Sequence, residues 1–294
     1  MAERGPVGGA QDRLTASPGP DAWRHRQWPS RKVESFVVSF PKSGRTWLRV
    51  LLAVVEANRR GADTSTVVSE WLEHEAPTFA ERSVLFTHGL SVDAYERTEA
   101  MSHFLGYIGD RRRVFLVPDP RDTIVSYFFQ VTKRQRGSAL ANDIGRFLRD
   151  PRYGIDRVLQ FLAACDASQR DDPGPSLLLS YEELHGDPQR VLAATATFLG
   201  CPASSSTLEF AVMFAGFDNM RRLELEGGLD SQPLAALDAS DSESLKTRKG
   251  VVGGYVDYLS PNDVAYVEKR IEALIPSRLG YRVPGVPPSA VLAQ

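Results

Sequence analysis

The amino-acid sequence predicts a single α/β domain with a central parallel sheet that helices cover on both faces. Short apolar segments alternate with helix-forming ones along most of the 294 residues. The apolar segments have the length of strands and the continuous hydrophobicity of strands buried on both faces, which is typical of parallel sheets. No internal repeat interrupts this alternation.

Composition and charge favour an ordinary globular protein. Hydrophobic residues make up 42% of the chain and charged residues 24%, and a chain of this length buries a core without cross-links. The formal net charge of -2 argues against a nucleic-acid partner, although a local basic pocket is compatible with it. Cys165 and Cys201 lack the spacing of a metal site or disulfide framework, so we expect two buried free thiols.

The ends of the chain differ in composition from its middle. Residues 1–30 are rich in Gly, Pro, Ala and Ser and show no period, which predicts a flexible N-terminal tail. We expect the domain to occupy residues 31–286 and a C-terminal tail to follow over residues 287–294. No apolar run approaches the ~18 residues of a membrane span, and the N-terminus lacks the apolar region of a secretory signal. These observations predict a cytoplasmic location.

The first half of the domain holds three predicted strands. Val33–Phe40 is a compact apolar strand, and a helical pattern follows over Thr46–Asn58. Ser83–Gly89 predicts a second strand, which ends in a histidine. Arg112–Pro120 predicts a third, which two prolines bring to an end.

Helix signals dominate the second half. Asp119 precedes a proline and predicts an N-cap rather than the magnesium ligand of an ATPase. Ser176–Ser180 predicts a fourth strand, and residues 189–200 form an amphipathic pattern stopped by glycine. Phe217–Val252 shows little periodicity, which predicts a long mobile segment. Ser260 and its following proline begin a last helix.

The turn after the first strand has the features of a phosphate-binding loop. Gly44 allows the backbone to approach an anion, and the N–H groups that follow begin a helix whose positive end favours phosphate. Lys42 adds a charge, while Ser43 and Thr46 add hydroxyls. The G-x-x-x-x-G-K-[ST] spacing of nucleotide loops is absent. The alternative is an ordinary turn with a surface lysine.

Two further groups of residues carry chemistry. His88 and Asp119 follow apolar strands, and ligands of such sheets bind beyond the carboxyl ends of the strands. Ser126 lies two turns into the helix that begins at Asp119; the alternative is a serine bonded to its own helix. Arg248 and Lys249 precede Gly250 in a basic turn, which in isolation is typical of a solvated surface.

Together these segments resemble a known family. The patterns P-K-S-G-x-T-W, D-P-R-D-x-x-x-S-Y and R-K-G-x-x-G occur in order, with weaker markers in "SYEEL", "FDNMRRLE" and "YLSPND". They resemble the cytosolic-type sulfotransferases, whose donor is 3′-phosphoadenosine 5′-phosphosulfate (PAPS). The resemblance spans Val33 to Leu279 and implies a P-loop nucleotide-hydrolase-like fold, PAPS as co-substrate and no metal.

The resemblance also implies roles for individual residues. His88 corresponds to the family's catalytic base, and Lys42 to the lysine on the bridging oxygen of PAPS. The rest of the donor site falls on residues of three kinds. The 5′-phosphosulfate loop is Lys42, Ser43, Gly44, Arg45 and Thr46; the adenine contacts are Trp47, Tyr181 and Phe217; the 3′-phosphate contacts are Ser126, Arg248, Lys249 and Gly250.

Two positions depart from the family pattern. Phe86 stands where the family has a second active-site lysine, two residues before the base. Pro118 stands where the family has an arginine that grips the 3′-phosphate. The second change removes one of the cations that the resemblance predicts to bind the 3′-phosphate.

The acceptor and the competing hypotheses complete the prediction. We expect segments 64–82 and 133–152 to wall the site of a hydroxylated small-molecule acceptor. The aromatic residues Trp71, Phe79, Phe128 and Phe129 suggest that this acceptor is apolar. One alternative is a P-loop kinase-like phosphotransferase, although its G-K-[ST] loop is missing. The other is a nucleotide-binding remnant without turnover, which the proline at position 118 favours.

Overall fold

A computed structural model describes residues 33–89, 104–134, 143–171, 174–226 and 240–275. These residues all belong to one compact unit of the chain. The predicted tails lie outside the described residues.

Five strands form one sheet in the order β2-β3-β1-β4-β5. They are β1 Ser35–Ser39, β2 Thr78–Phe79, β3 Arg82–Thr87, β4 Arg112–Val117 and β5 Ser176–Ser180. β3, β1, β4 and β5 run parallel, and the short β2 pairs antiparallel with β3 at one edge. The predicted α/β fold with a parallel sheet is confirmed, and the antiparallel edge strand is an addition.

Helices pack in two groups, one against each face of the sheet. α1, α2, α7 and α8 contact one another, while α3, α4, α5 and α10 form the second group. The described helices are α1 Arg45–Arg60, α2 Thr64–Glu73, α3 Pro120–Phe129, α4 Ile144–Leu148, α5 Ile155–Asp171, α6 Tyr181–Gly186, α7 Pro188–Phe198, α8 Ser205–Phe214, α9 Phe217–Glu226 and α10 Pro261–Leu274. A π-helical turn, Gln130–Arg134, continues α3.

Alternate side chains of β1 enter the two halves of the core. Val37 is fully buried in a cluster with Leu51 of α1. Phe40, just beyond the strand, faces the other side, where its ring lies 5.2 Å from Tyr127 and 5.8 Å from Phe161. Every residue of β1 is buried, which explains why the strand shows a continuous apolar run instead of alternation.

Local capping follows the sequence prediction closely. Asp119 caps α3, because its carboxylate accepts the backbone N–H of Arg121 at 2.8 Å. Ser260 caps α10 in the same way. Asp119 is therefore confirmed as an N-cap, and both cysteines, Cys165 and Cys201, are buried and unpaired as predicted.

The expectation of an aperiodic segment over Phe217–Val252 is wrong for its first ten residues. Residues 227–239 lie outside the described residues, and the mobility of the segment stays a prediction. Phe217–Glu226 forms α9, which buries Met220 and Leu223 together with the charged Glu224. A carboxylate at a buried position hides the helical period, because hydrophobic patterning assigns charge to the exposed face. Residues 242–244 add a 3₁₀ turn.

Candidate functional site

A cavity of about 590 Å³ lies beyond the carboxyl ends of the four parallel strands. Each strand delivers one residue to it soon after the strand ends: Lys42 after β1, His88 after β3, Pro118 after β4 and Tyr181 after β5. The parallel registers bring these strand ends to one edge of the sheet. The predicted meeting of Lys42 and His88 is thus a consequence of the β3-β1 pairing.

The loop after β1 adopts two left-handed backbone conformations. Lys42 has φ 68° and Gly44 has φ 83°, and the lysine bears a strain of roughly 1–2 kcal/mol there. Gly44 caps α1 without a side chain, and the first turn has no acidic residue. No side chain of the first turn therefore neutralises the positive end of the helix, which favours the binding of an anion there. A Cβ on Gly44 would lie 2.6 Å from the Tyr181 ring.

Ser43 differs in placement from the other predicted loop residues. Its side chain is buried, and the hydroxyl donates to the Phe40 carbonyl at 2.8 Å. Ser43 is absent from the cavity lining. Its hydroxyl stabilises the loop in this structure, and contact of that hydroxyl with phosphate stays a prediction.

His88 is held in a defined tautomer. Its Nδ1 lies 2.9 Å from the Ser39 carbonyl, and since a carbonyl only accepts, Nδ1 carries the proton and the neutral ring presents Nε2 as its basic atom. Burial, together with the charges of Arg45 and Lys246, lowers the pKa of His88 to about 3. The ring is therefore neutral near pH 7.

Ser126 and Arg248 meet across the cavity although 122 residues separate them. Arg248 Nη2 donates to Ser126 Oγ at 3.4 Å, and Nη1 donates to Tyr258 Oη at 2.7 Å and to Glu243 at 3.3 Å. The guanidinium lies 4.7 Å from the centre of the Phe129 ring. These contacts hold the guanidinium of Arg248 in place. The Ser126 hydroxyl therefore bonds to the basic turn, whereas the alternative prediction had it bonded to its own helix.

The basic turn is packed beneath an aromatic ring. Gly250 has φ 62°, and a Cβ there would meet the Phe217 ring at 2.5 Å. Lys249 lines the cavity and forms an ion pair with Asp257. The glycine is thus required both by its backbone conformation and by the ring above it.

Three further rings line the same end of the cavity. Trp47 lies 6.0 Å from Tyr181, and His185 lies 6.0 Å from Tyr181 and 6.5 Å from Trp47. His185 Nε2 donates to the Gly250 carbonyl at 3.0 Å, which links α6 to the basic turn. His185 belongs to none of the motifs quoted above, so sequence analysis missed it.

Asp122 is a second residue that sequence analysis missed. Its carboxylate accepts the backbone N–H groups of Gly253 at 2.6 Å and Tyr255 at 2.8 Å, and burial raises its pKa. Within D-P-R-D it has the pattern of an ordinary acidic residue in a first helical turn. Only the tertiary structure reveals that it secures a segment 131 residues away.

Most predicted site residues line this cavity, and Ser43 is the exception. Those that do are Lys42, Gly44, Arg45, Thr46, Trp47, His88, Ser126, Tyr181, Phe217, Arg248, Lys249 and Gly250.

The predicted acceptor aromatics lie elsewhere. Trp71 and Phe79 are core residues with 2% and 0% exposure, and their rings pack 5.8 Å apart. Phe128 is buried against Phe147, and Phe129 packs on the guanidinium of Arg248. In the described part of 64–82 and 133–152, no residue lines the cavity. Large aromatics on these helices serve the core.

Comparison with known proteins decides the family. The family model described as "Sulfotransferase domain" matches residues 32–277. The chain belongs to the sulfotransferase family. Cytosolic sulfotransferase 17 of Arabidopsis thaliana is 28% identical to it over 265 residues, 83% of this chain and 74% of the relative. Flavonol 3-sulfotransferase of Flaveria bidentis is 21% identical and covers 89% of this chain and 91% of its own.

Solved sulfotransferase structures share the fold. A mouse sulfotransferase complexed with PAP superposes with a TM-score of 0.58 at 22% identity, over 84% of this chain and 86% of that one. Retinol dehydratase in complex with androsterone and inactive cofactor PAP superposes with a TM-score of 0.58 at 20% identity, over 87% of this chain and 84% of that one.

Among the described residues, no group of three or more His, Cys, Asp and Glu side chains could hold a metal ion. Nor does any described helix combine the length and hydrophobicity needed to cross a bilayer. Absence of a metal requirement remains a prediction.

Proposed function

We propose that this sulfotransferase moves the sulfuryl group of PAPS to a hydroxyl of a small organic acceptor. One observation carries the proposal: His88 and Lys42 share a cavity with the Ser126–Arg248 pair and a group of aromatic rings. Such a cavity offers a base and a cation at one part and sites for phosphate and a purine at another. The two structural neighbours described above are complexes with PAP, which supports the same class of ligand.

The charge of the cavity fits a nucleotide with several phosphate groups. Its described lining holds five cations against one carboxylate, Asp122. Arg248 adds a buried Nε that has no hydrogen-bond partner among the described residues, and buried donors are normally satisfied. A 3′-phosphate would supply the missing acceptor. The cations are Lys42, Arg45, Lys246, Arg248 and Lys249.

His88 is suited to remove the acceptor's proton. Its Nδ1 proton is committed to the Ser39 carbonyl, so Nε2 is the atom that accepts a proton from the hydroxyl. Because burial keeps the ring neutral, the base needs no prior deprotonation near neutral pH. Its attachment to the backbone of β1 fixes its position relative to the loop after that strand.

Lys42 and the beginning of α1 are suited to stabilise the leaving group. When bound, PAPS supplies the sulfuryl group and departs as a phosphate whose oxygen gains charge as the S–O bond breaks. The ammonium of Lys42 and the positive end of α1 favour negative charge at this place. Protein cations thereby do the work for which phosphotransferases use magnesium.

The acceptor site adjoins His88. Thr123, Tyr127 and Gln130 of α3 and the turn after it line the cavity and offer hydroxyl and amide groups beside an apolar ring. Two structures of retinol dehydratase, a structural neighbour, contain androsterone and retinol, which are both hydroxylated small molecules. We place the acceptor of this protein in the same broad class. Relatives named cytosolic support a cytoplasmic site of action.

A sulfate-transfer screen tests the proposal. Purified protein, PAPS and a library of hydroxylated small molecules should yield products that have gained one SO₃ group, equally with and without EDTA. The loss of all transfer in EDTA would favour a metal-dependent phosphotransferase. Tight binding of PAP without any product would favour a nucleotide-binding remnant, the alternative suggested by Pro118 in the cavity lining.

A further inference from the structure

A buried carboxylate on α9 fixes the backbone just before the basic turn. Glu224 is 2% exposed and accepts the backbone N–H of Lys246 at 2.6 Å, the N–H of Thr247 at 2.8 Å and the Thr247 hydroxyl at 2.6 Å. Arg221, one turn earlier, donates to the carbonyls of Thr247 and Arg248, both at 3.3 Å. One face of α9 therefore sets the position of residues 246–248.

This anchoring brings the side chain of Lys246 into the cavity. Lys246 lines the same cavity as His88 and Lys42, and its charge acts on the histidine, where it helps to lower the pKa. The position two residues before the base provides no cation, because Phe86 on β3 is 6% exposed and packs against Trp71 at 6.0 Å. The charge of Arg45 on α1 acts on His88 more strongly than that of Lys246, so Lys246 is a second cation that acts on the base, and it comes from a distant part of the chain.

We propose that Lys246 is a further catalytic residue, a second cation that binds an oxygen of the sulfuryl group during transfer, and that Glu224 is its positioning residue. This inference rests on the proposed sulfotransferase activity. In that reaction the acceptor oxygen forms a bond to sulfur, the bond from sulfur to the phosphate oxygen breaks with its electron pair on phosphate, and His88 Nε2 takes the hydroxyl proton.

The position of Lys246 gives it two effects that act together. A cation near His88 favours the neutral imidazole over the imidazolium, so Nε2 keeps its lone pair at neutral pH while its proton affinity falls. The same charge attracts the equatorial oxygens of the group in transfer and adds to the charges of Lys42 and Arg45 in the cavity. Glu224 does not line the cavity, and it contributes to both effects by holding residues 246 and 247.

The first experiment compares Lys246→Gln, Lys246→Arg and Lys269→Gln, a control at an exposed lysine of α10. With PAPS and the best acceptor of the screen, Lys246→Gln should lower kcat by about 10²-fold or more, as does removal of one oxyanion donor. PAP lacks the sulfuryl group, so its Kd should change by less than about threefold, well under the tenfold that 1.4 kcal/mol represents. Lys246→Arg should recover most of the rate, and Lys269→Gln should match wild type.

A second measurement does not depend on turnover. NMR titration of labelled histidine in the protein without ligand should show the pKa of His88 rising in Lys246→Gln, because a like charge has been removed. Glu224→Gln should raise it as well, since the lysine loses its backbone anchor, and should lower kcat while the protein stays folded by circular dichroism. Glu224→Gln that fails to fold leaves the decision to the lysine variants.

The outcomes separate this inference from the proposed function. Wild-type protein that binds PAP yet transfers nothing overturns the sulfotransferase proposal and the inference with it. Active wild type with kcat of Lys246→Gln above about a third of normal overturns the catalytic role alone, since oxyanion-type donors are worth far more. Parallel losses in kcat and PAP affinity would make Lys246 a nucleotide contact, and an unchanged His88 pKa would remove it from the vicinity of the base.

Discussion

Replacing Gly250 by alanine isolates the role of the ring that covers the basic turn. Gly250 and Gly253 both have left-handed backbones, with φ 62° and 77°, so alanine costs roughly 1–2 kcal/mol of folding free energy at either position. A Cβ at Gly253 meets nothing within 4 Å, whereas a Cβ at Gly250 lies 2.5 and 2.6 Å from two atoms of the Phe217 ring. Gly253→Ala is therefore a matched control with the same backbone strain and no clash.

The clash must move the Phe217 ring, and that has a measurable cost in binding. Stacking of a base on an aromatic side chain contributes ~1–3 kcal/mol, and each 1.4 kcal/mol is tenfold in Kd. Gly250→Ala should thus weaken PAP binding by roughly one to two decades. Gly253→Ala should change the Kd by less than about threefold, while both variants lose similar thermal stability.

Calorimetry with two ligands provides the test. PAP should distinguish Gly250→Ala from wild type, and ribose 3′,5′-bisphosphate, which lacks the base, should not. Equal weakening of PAP by the two alanine variants would show that backbone strain rather than the ring governs the site. Equal losses for both ligands in Gly250→Ala would mean that the neighbouring Arg248 and Lys249 were displaced instead of Phe217, which would refute the stacking argument.

Further predictions concern the two residues proposed to act in catalysis, His88 and Lys42, and the proline at position 118. His88→Ala should lower kcat by about 10²–10⁴-fold, as expected for loss of a general base, with PAP binding retained; retention of more than about a third of the rate would contradict the role. In the wild type, the acid limb of kcat/KM for the donor should fall far below pH 6.5, because burial lowers the pKa of His88 to about 3 and only the protonated ring is inactive. Lys42→Ala should impair both PAPS binding and kcat, and a rise in KM alone would reduce Lys42 to a phosphate contact. Pro118→Arg should tighten PAPS binding by roughly one to two decades, since a charge-assisted hydrogen bond contributes ~1.5–3 kcal/mol, but should change adenosine 5′-phosphosulfate binding far less. Calorimetry on both nucleotides tests it, and equal effects would place the new arginine away from the 3′-phosphate.

Arg121 illustrates why position 118 is not compensated by its neighbour. Arg121 lies three residues beyond Pro118, but its guanidinium is 7% exposed and paired with Asp119 at 2.6 Å and Glu268 at 3.5 Å. Its face lies 5.0 Å from the centre of the Tyr255 ring. Moving it to a phosphate would leave two carboxylates partly buried without their partner, which is costly.

Local patterns were enough to predict the sheet and the parts of the site that follow its strands. Strands β1, β3, β4 and β5 have continuous apolar centres of three or four residues, each followed by proline or a polar residue, so their positions follow from the sequence. Because parallel strands end at one edge, Lys42 and His88 could be placed together before the structure was known. The third motif, around Arg248, needed the family resemblance, since nothing local connects it to Ser126.

Residues whose roles depend on long-range contacts could not be predicted. His185 contacts the carbonyl of Gly250, which lies 65 positions away in the sequence. Lys246 is one cation within a polar stretch of the sequence, and only the contacts of its backbone with α9 place it at the cavity. The assignment of aromatic residues to the acceptor site was wrong for the opposite reason. Trp71 and Phe79 have the composition of a binding surface, yet their place on α2 and β2 buries them, and composition alone does not separate these cases.

Two carboxylates, Glu224 and Asp122, explain how an irregular segment can keep a defined position at the cavity. Residues 245–253 belong to neither helix nor strand, so their backbone N–H groups need partners from elsewhere. Glu224 provides them at residues 246 and 247, and Asp122 provides them at residues 253 and 255. The carboxylates accept from the backbone at both ends of the segment, while its cations, Arg248 among them, line the cavity between. Two negative charges thus hold in place a segment that carries positive charge, because each carboxylate accepts two backbone N–H groups at one end of it.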